Sequence, residues 1–248
     1  MTNVAMRRPQ KVAMLVAQQI MSDVSHDKTQ PGDRLPPERM MLEKYEIGRG
    51  TLREALRVLE FQGAIALRSG PGGGPVLLNP DASHLGSSLL LLMQMRNAPY
   101  RTVVEVRQGI EPFTSRLAAT NITDEDLGRL SATIEQMKTA DVQDDTFFEA
   151  NKQFHDVIAW ASGNDLLGYF NESLNGIMDG TAIGIDYPEH RRNAIIQAHE
   201  SIYEALSAHD AKAAEEHMRA HIDAYASLAE RRFPEVLDRK ILWEHANE

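Results

Sequence analysis

The 248-residue sequence contains no cysteine, which excludes disulfide bonds, zinc-thiolate sites and cysteine nucleophiles. This absence agrees with a reducing cytoplasm, where we expect the protein to be located. The most apolar run, Leu89–Met93, is far too short to span a bilayer. No continuous apolar stretch with a small-residue cleavage site follows Arg7 and Arg8, so we expect neither a signal peptide nor a membrane partner.

Positive charge is also scarce, because the formal net charge at pH 7 is −10. The distribution of that charge is uneven. Residues 1–79 contain 11 Lys and Arg against 8 Asp and Glu, for a net charge of +3, whereas residues 80–248 contain 15 against 28, for −13. A basic front on an acidic body favours a DNA-binding arm on a carrier domain, although chance variation of surface charge is the alternative. The length predicts two domains, and we place them at 1–79 and 80–248.

The first domain begins with three predicted helices. Apolar residues at helical spacing predict the first helix from about Gln10 to Val24. A second helix is predicted to start at Pro36 or Pro37, because proline is tolerated in a first turn, and to run to about Tyr45. A third follows from about residue 49 to residue 62, and Gly63 is placed to end it.

Two short strands follow the third helix. Residues 64–68 and 75–78 have strand character, and a glycine-rich turn over 69–74 separates them. Three helices followed by such a hairpin form a winged helix-turn-helix. The alternative for the hairpin is an ordinary β-turn, but a glycine-rich tip allows a close approach of backbone to phosphate.

The rest of the chain, after a linker at Asn79-Pro80-Asp81, shows no convincing strand. Seven helical blocks are predicted at about 82–96, 100–120, 124–139, 144–162, 164–179, 189–208 and 210–232. Thr123 and the acids after it are typical of a helix N-terminus. The predicted fold is therefore mainly α: a winged helix-turn-helix with a small β-hairpin, then an all-α antiparallel bundle of six or seven helices. Residues beyond Pro234 are left unplaced.

Arginines at positions 49, 53 and 57 follow the i, i+4, i+8 spacing that puts them on one face of the third helix. The planar guanidinium can pair with guanine or with phosphate through two parallel hydrogen bonds. The alternative is a solvated face on which the arginines pair with Glu54 and Glu60.

The N-terminal motifs together resemble the GntR family of bacterial transcription regulators over residues 10–78. They are Leu35–Arg39, Arg49–Glu60, Gly63 and the glycine-rich hairpin. The resemblance implies that the chain binds a double-stranded DNA operator, and as a homodimer it would read a short palindrome. The implied DNA contacts are Arg39, Arg49, Thr51, Arg53 and Gly70, with Arg57 a phosphate or structural contact. Gly48 and Gly50 stand where the family usually has hydroxyl residues, which predicts an altered operator preference.

The C-terminal half resembles the effector domain of the FadR subfamily from about Val103 to Arg231. The residues that carry the likeness are Glu105-Val106-Arg107, Gly109-Ile110-Glu111, Asn151–His155, Ser162-Gly163-Asn164, His199, Met218 and His221. The resemblance implies a small carboxylate metabolite as effector, with Arg107 gripping it. An intrahelical pair between Arg107 and Glu111 is the alternative.

Four residues in this half are candidate metal ligands. Asn151 and His155 share a helix face, and His199 and His221 come from two later helices. Three imidazoles and one side-chain oxygen inside a bundle suit a divalent metal ion such as zinc, nickel or manganese. The family usually has Asp where Asn151 stands, and a neutral amide is a weaker ligand.

Other interpretations remain. Core histidines could merely satisfy hydrogen bonds, and His217 and His221 could be a surface pair. A metal-dependent helical-bundle enzyme is a rival function, but no His-Glu-x-x-His motif or serine nucleophile elbow is present. We therefore expect a regulator rather than an enzyme.

Overall fold

The computed structural model of the protein describes residues 7–70, 73–79, 81–141, 145–175, 177 and 189–243. Predicted features at Pro71, Gly72 and Pro80, and the end of the helical block predicted to reach residue 179, lie outside these ranges. The chain divides into two compact units, Met1–His84 and Leu85–Glu248.

The first unit contains three helices and a hairpin: α1 (Arg7–His26), α2 (Glu38–Tyr45), α3 (Arg49–Phe61), β1 (Ile65–Arg68) and β2 (Gly74–Leu77). The strands are antiparallel, with Ile65 opposite Leu77 and Arg68 opposite Gly74. The backbone before α2 pairs with the free edge of β2, since the amide of Leu35 donates to the carbonyl of Pro75 over 2.9 Å. The winged helix-turn-helix predicted from the sequence is confirmed.

The core of this unit is built from the apolar faces of α1 and α3. Ala13, Ala17 and Ile20 on α1 pack with Leu52 and Leu56 on α3, and all five are buried. The 3–4-residue spacing that predicted these helices is the spacing that buries one side of each. The opposite, polar side of α3 is left facing outward.

The second unit is a helical bundle, as predicted. Its helices are α4 (Ser83–Met95, whose first two residues belong to the first unit), α5 (Arg101–Asn121), α6 (Asp124–Thr139), α7 (Thr146–Ala161), α8 (Asp165–Asn175), α9 (Glu189–Ser207), α10 (Ala211–Arg232) and α11 (Pro234–Leu237). Helix α5 packs against α10 and α7, and α10 packs against α9. The predicted N-terminus of α6 is a capping box, in which the Thr123 hydroxyl accepts from the Asp126 amide and Asp126 accepts from the Thr123 amide.

The C-terminal segment that the sequence left unplaced closes one side of this bundle. Val236, Leu237 and Ile241 are buried together with Tyr100 and Val103. Pro99 and Lys240 form an isolated antiparallel bridge. Among the described residues, no helix is long and apolar enough to cross a membrane.

Candidate functional site: a DNA-reading face and a histidine-lined cavity

The outward side of α3 carries the three predicted arginines. Arg49, Arg53 and Arg57 are exposed, whereas Leu52, Ala55, Leu56 and Leu59 on the other side of the helix are buried. None of the three guanidinium groups forms an ion pair or hydrogen bond within the described ranges. Pairing of these arginines with Glu54 and Glu60, which was the alternative to DNA contact, is therefore not seen within the described ranges. These arginines form a basic face that is free to meet a polyanion.

The other predicted DNA contacts lie in the same unit. Arg39 projects from α2 with 89% of its side chain exposed, and its Nε is 3.2 Å from Glu43 Oε1. Thr51 is half-buried in the first turn of α3. Gly70 has φ +91°, a left-handed backbone that suits glycine, and lies just beyond β1.

The two glycines at the start of α3 are not required by packing. Gly48 is the N-cap, in an extended conformation, and has no side-chain cap. A Cβ added at Gly48 or Gly50 would meet no atom within 4 Å. The consequence of these glycines is the absence of two groups: a hydroxyl cap at the start of α3 and hydroxyl groups beside Arg49.

A cavity of about 300 Å³, open to solvent on one side, lies in the second unit. Side chains from α5, α7, α9 and α10 line it. No acidic side chain is among the lining residues of the described chain, which are Arg107, Asn151, His155, Arg191, Ala194, Ile195, Ala198, Ser201, His217, Ala220, His221, Ile222, Ala224, Tyr225 and Leu228. Its volume is at the small end of the range for ligand pockets.

Three histidines from three helices meet beside this cavity, and two of them, His155 and His221, line it. His155 comes from α7, His199 from α9 and His221 from α10. His221 Nε2 lies 3.3 Å from His199 Nε2 and 3.4 Å from His155 Nε2. Nitrogen ligands of a tetrahedral zinc ion, at about 2.0–2.1 Å from the metal, are about 3.3–3.4 Å apart. Two of the spacings match this value and all three ligand atoms lie within 4.8 Å of one another, so the set could hold a divalent metal.

A buried carboxylate lies directly behind the first of these histidines. Glu111 Oε2 lies 2.6 Å from His155 Nδ1, which leaves Nε2 as the atom directed at the other two imidazoles. Arg107, one turn earlier on α5, donates from Nε to the other oxygen of Glu111. A carboxylate behind a histidine ligand fixes the ring orientation and raises its basicity.

The pKa shifts of Glu111, His199 and His221 favour metal binding at this cluster. Burial alone would raise the pKa of Glu111, but the charges of Arg107 and His155 outweigh it and hold the pKa well below its usual range. Burial, reinforced by the other histidines, lowers the pKa of His199 well below its ordinary value and that of His221 to about 3. Both rings are neutral near pH 7, as metal ligands must be. His199 Nδ1 is buried without a hydrogen-bond partner.

The structure brings the predicted ligands together. Asn151, half-buried and one turn before His155 on α7, lines the same cavity. Arg107 lines it as well, with its guanidinium 5.5 Å from the Tyr225 ring centre. Arg191 and Tyr225 also line the cavity, and their only sequence signal is helical spacing from His199 and His221. Ser201 lines it as well and has no such signal.

Both halves of the chain match known family models. Residues 13–73 match the bacterial regulatory proteins of the gntR family, and residues 102–224 match the FCD domain. An uncharacterised HTH-type transcriptional regulator, YcbG of Bacillus subtilis, is 29% identical over 85% of this chain and 87% of its own length. LutR, an HTH-type transcriptional regulator of the same organism, is 25% identical over 80% of this chain and 92% of its own.

A solved structure has the same fold. The structure titled Streptococcus agalactiae GntR superposes with a TM-score of 0.65 at 24% identity, covering 87% of this chain and 99% of that one. A winged helix-turn-helix joined to a helical domain with a histidine-lined cavity defines a DNA-binding transcription regulator with an effector domain. This chain belongs to the GntR family and carries an FCD domain.

Proposed function

We propose that this chain is a metabolite-responsive transcription regulator that binds a palindromic operator as a homodimer and is controlled by a small organic acid and a divalent metal. The observation that carries the proposal is the convergence of three imidazoles beside one cavity in a chain whose other unit is a DNA-binding fold. Such a cavity gives a metabolite a place to act on a DNA-binding protein.

In this proposal α3 enters the major groove. The exposed arginines near its N-terminus read base edges, and Arg39, Thr51 and Gly70 contact the DNA around them. Thr51 is half-buried in the first turn of α3, so in this proposal its hydroxyl contacts DNA that lies close to the start of the helix. Recognition helices use their N-terminal residues in this way.

Asn151, His155, His199 and His221 would hold the metal, which is zinc, nickel or manganese. When bound, the metal supplies a Lewis-acidic centre that attracts an oxygen of the effector. The protein keeps the ligand nitrogens in place through Glu111, which is itself held by Arg107. Asn151 contributes a neutral oxygen, so the centre keeps more positive charge than with an aspartate.

The homodimer is proposed to form through α4. This helix exposes Leu91, Leu92 and Met95, while its Leu90 is buried in the bundle. Effector binding would change the operator affinity only if the effector prefers one of two arrangements of the dimer. The cavity lies in the unit that would carry the dimer contact, so the effector site and the dimer contact would be coupled through the same helical bundle.

The proposal is tested by metal content and by DNA affinity. An operator duplex is first selected from random DNA with the purified protein, and its affinity is measured by fluorescence anisotropy. Arg49→Ala should cost about 1–3 kcal/mol of specific binding if Arg49 contacts a base. His155→Ala and His221→Ala should lower the bound metal in elemental analysis.

Arg219→Ala is the matched control, because Arg219 is an exposed arginine of α10 that does not line the cavity. Arg219→Ala should leave both the operator affinity and the bound metal content unchanged. Unaltered operator affinity in Arg49→Ala would remove the reading role of Arg49. Equal metal content in the histidine variants would remove the metal site, and metal-dependent hydrolysis by the loaded protein would favour an enzyme.

A further inference from the structure

The cavity contains one cationic side chain that the site described so far does not use. Arg191 lies on α9 and is half-buried at the cavity wall. It forms no ion pair or hydrogen bond within the described part of the chain. A partly desolvated guanidinium without an anion is costly for the protein to maintain, so an anionic ligand would be favoured beside it.

Arg107, the other arginine of the cavity, is already committed. It is 9% exposed, its Nε is bonded to Glu111, and its guanidinium faces the Tyr225 ring. The charges of Arg107 and Glu111 cancel locally. If Arg107 turned to a ligand, the buried carboxylate of Glu111 would lose its guanidinium partner and keep only His155 beside it, which is unfavourable.

The arrangement of α9 and α10 places Arg191 relative to the histidines. The two helices are joined by a short turn at Asp210, and His199 meets His221 at 3.3 Å, so they run antiparallel about that turn. Arg191 precedes His199 by eight residues, about 12 Å along the helix axis. It therefore lies toward Tyr225 and Leu228, whereas Ser201 and His217 lie on the other side of the histidines.

We propose that Arg191 is the residue that binds the acid group of the effector, and that Arg107 is a positioning residue for Glu111 and His155. This inference rests on the proposed function, since it names the chemistry of the same cavity. The effector is then a small anionic metabolite that lies along α9, with its acid group at Arg191 and another oxygen toward the three histidines. A guanidinium fork pairs with a carboxylate through two hydrogen bonds.

The volume of the cavity favours a small metabolite, although the cavity opens to solvent where Ala194, Ala220 and Ala224 are exposed. Ala194 and Ala198 on α9 and Ala220 and Ala224 on α10 line the space with methyl groups only. With about 300 Å³ available, a hydroxy acid or dicarboxylic acid of a few carbons fits better than a long acyl chain. Ser201 and His217 at the far end offer hydrogen bonds to hydroxyl groups.

The test is isothermal titration of the full-length, zinc-loaded protein with L-malate, and with glycerol as a neutral probe. We expect wild type to bind malate and not glycerol. Arg191→Gln should weaken malate binding at least tenfold while zinc content and melting temperature stay at the wild-type values. Arg191→Lys should recover part of the affinity, because it keeps the charge but loses the fork. Arg219→Gln, outside the cavity, should behave as wild type.

Malate binding by Arg191→Gln equal to that of wild type would overturn the role of Arg191, while the metal and operator tests could still support the proposed function. Failure of zinc-loaded wild type to bind malate, or equal binding of glycerol, would overturn the anionic character of the site. Arg191-dependent malate binding that leaves operator affinity unchanged would support Arg191 and contradict the proposed regulation.

Discussion

At the scale of single residues, buried charges in this protein are found in connected sets. Arg107, Glu111 and His155 form one chain from α5 to α7, and the imidazoles of His199 and His221 continue it. Within this set each charge has an opposite charge beside it, which offsets the cost of burial. Arg191 is half-buried and has no anion beside it among the described residues, and the proposed acid-binding role rests on that contrast.

Asp23 in the first unit gives a pH-dependent prediction. It accepts a hydrogen bond from the Tyr45 hydroxyl at 2.7 Å and lies 2.8 Å from Lys44 Nζ, so it ties α1 to the end of α2. Its bonds to Lys44 and Tyr45 lower its pKa from 3.8 to about 2. A depressed carboxyl pKa stabilises the fold above pH 3.8, and that contribution is lost as the pH falls through about 2.

We expect Asp23→Asn to lower the free energy of unfolding by about 1 kcal/mol at pH 7, the size of a net hydrogen bond. The difference from wild type should shrink below pH 3.8. Urea unfolding between pH 7 and pH 2.5 measures it, and Asp27→Asn, an exposed carboxylate nearby, is the control. A difference that stayed constant over this range would argue against an ionised Asp23 as the cause.

At the scale of elements, α4 is notable because several of its apolar residues face outward while Leu90 is buried. Leu92 and Met95 are 57% and 71% exposed, and Leu85 and Leu91 are exposed as well. A helix that is apolar on its outer side is typical of an interaction surface. This is the reason why the proposed dimer contact is placed on α4.

Substituting Leu92 tests that contact. Burying a leucine contributes about 1.5–3 kcal/mol, and a twofold contact uses the residue twice, so Leu92→Glu should weaken the dimer by two orders of magnitude or more. Sedimentation velocity at micromolar concentration would show a shift to monomer. Leu166→Glu, at a 73% exposed leucine of α8, should sediment as wild type. A dimer that tolerates Leu92→Glu would move the interface away from α4.

At the scale of the whole molecule, the chain combines two units of opposite character. The first is basic and reads DNA, and the second is acidic and holds the cavity. Their hydrophobic clusters share no residue, since the Ala13–Leu77 cluster lies wholly in the first unit. A ligand of the cavity therefore stabilises the second unit directly.

Zinc binding should separate the stabilities of the two units. At a zinc concentration 1,000 times the Kd the stabilisation is about 4 kcal/mol, which corresponds to roughly 10 °C for a domain of this size. We expect calorimetry of the full chain to show this shift in one transition only. His155→Gln should abolish it, and His26→Gln, an exposed histidine of α1, should preserve it. One transition that shifts as a whole would show that the units unfold together.

The sequence by itself determined the helices and the winged fold, because apolar periodicity, prolines, glycines and caps are local signals. The predicted end of α6 at residue 139 and the start of α9 at residue 189 agree with the structure. The histidines proposed as metal ligands could also be predicted from the sequence, because helical spacing and family motifs point to them. The short C-terminal segment was not, since its helix α11 depends on contacts with Tyr100 and Pro99 far away in the chain.

Only the tertiary structure decided which arginine is paired with a carboxylate. The sequence left Arg107 with two partners, an effector or Glu111, and it gave no reason to single out Arg191. Which guanidinium is neutralised depends on the side chain that lies opposite it, and that is set by how α5, α7, α9 and α10 pack. Local periodicity fixes which face of a helix is buried, but charge pairing across helices is a property of the assembled bundle.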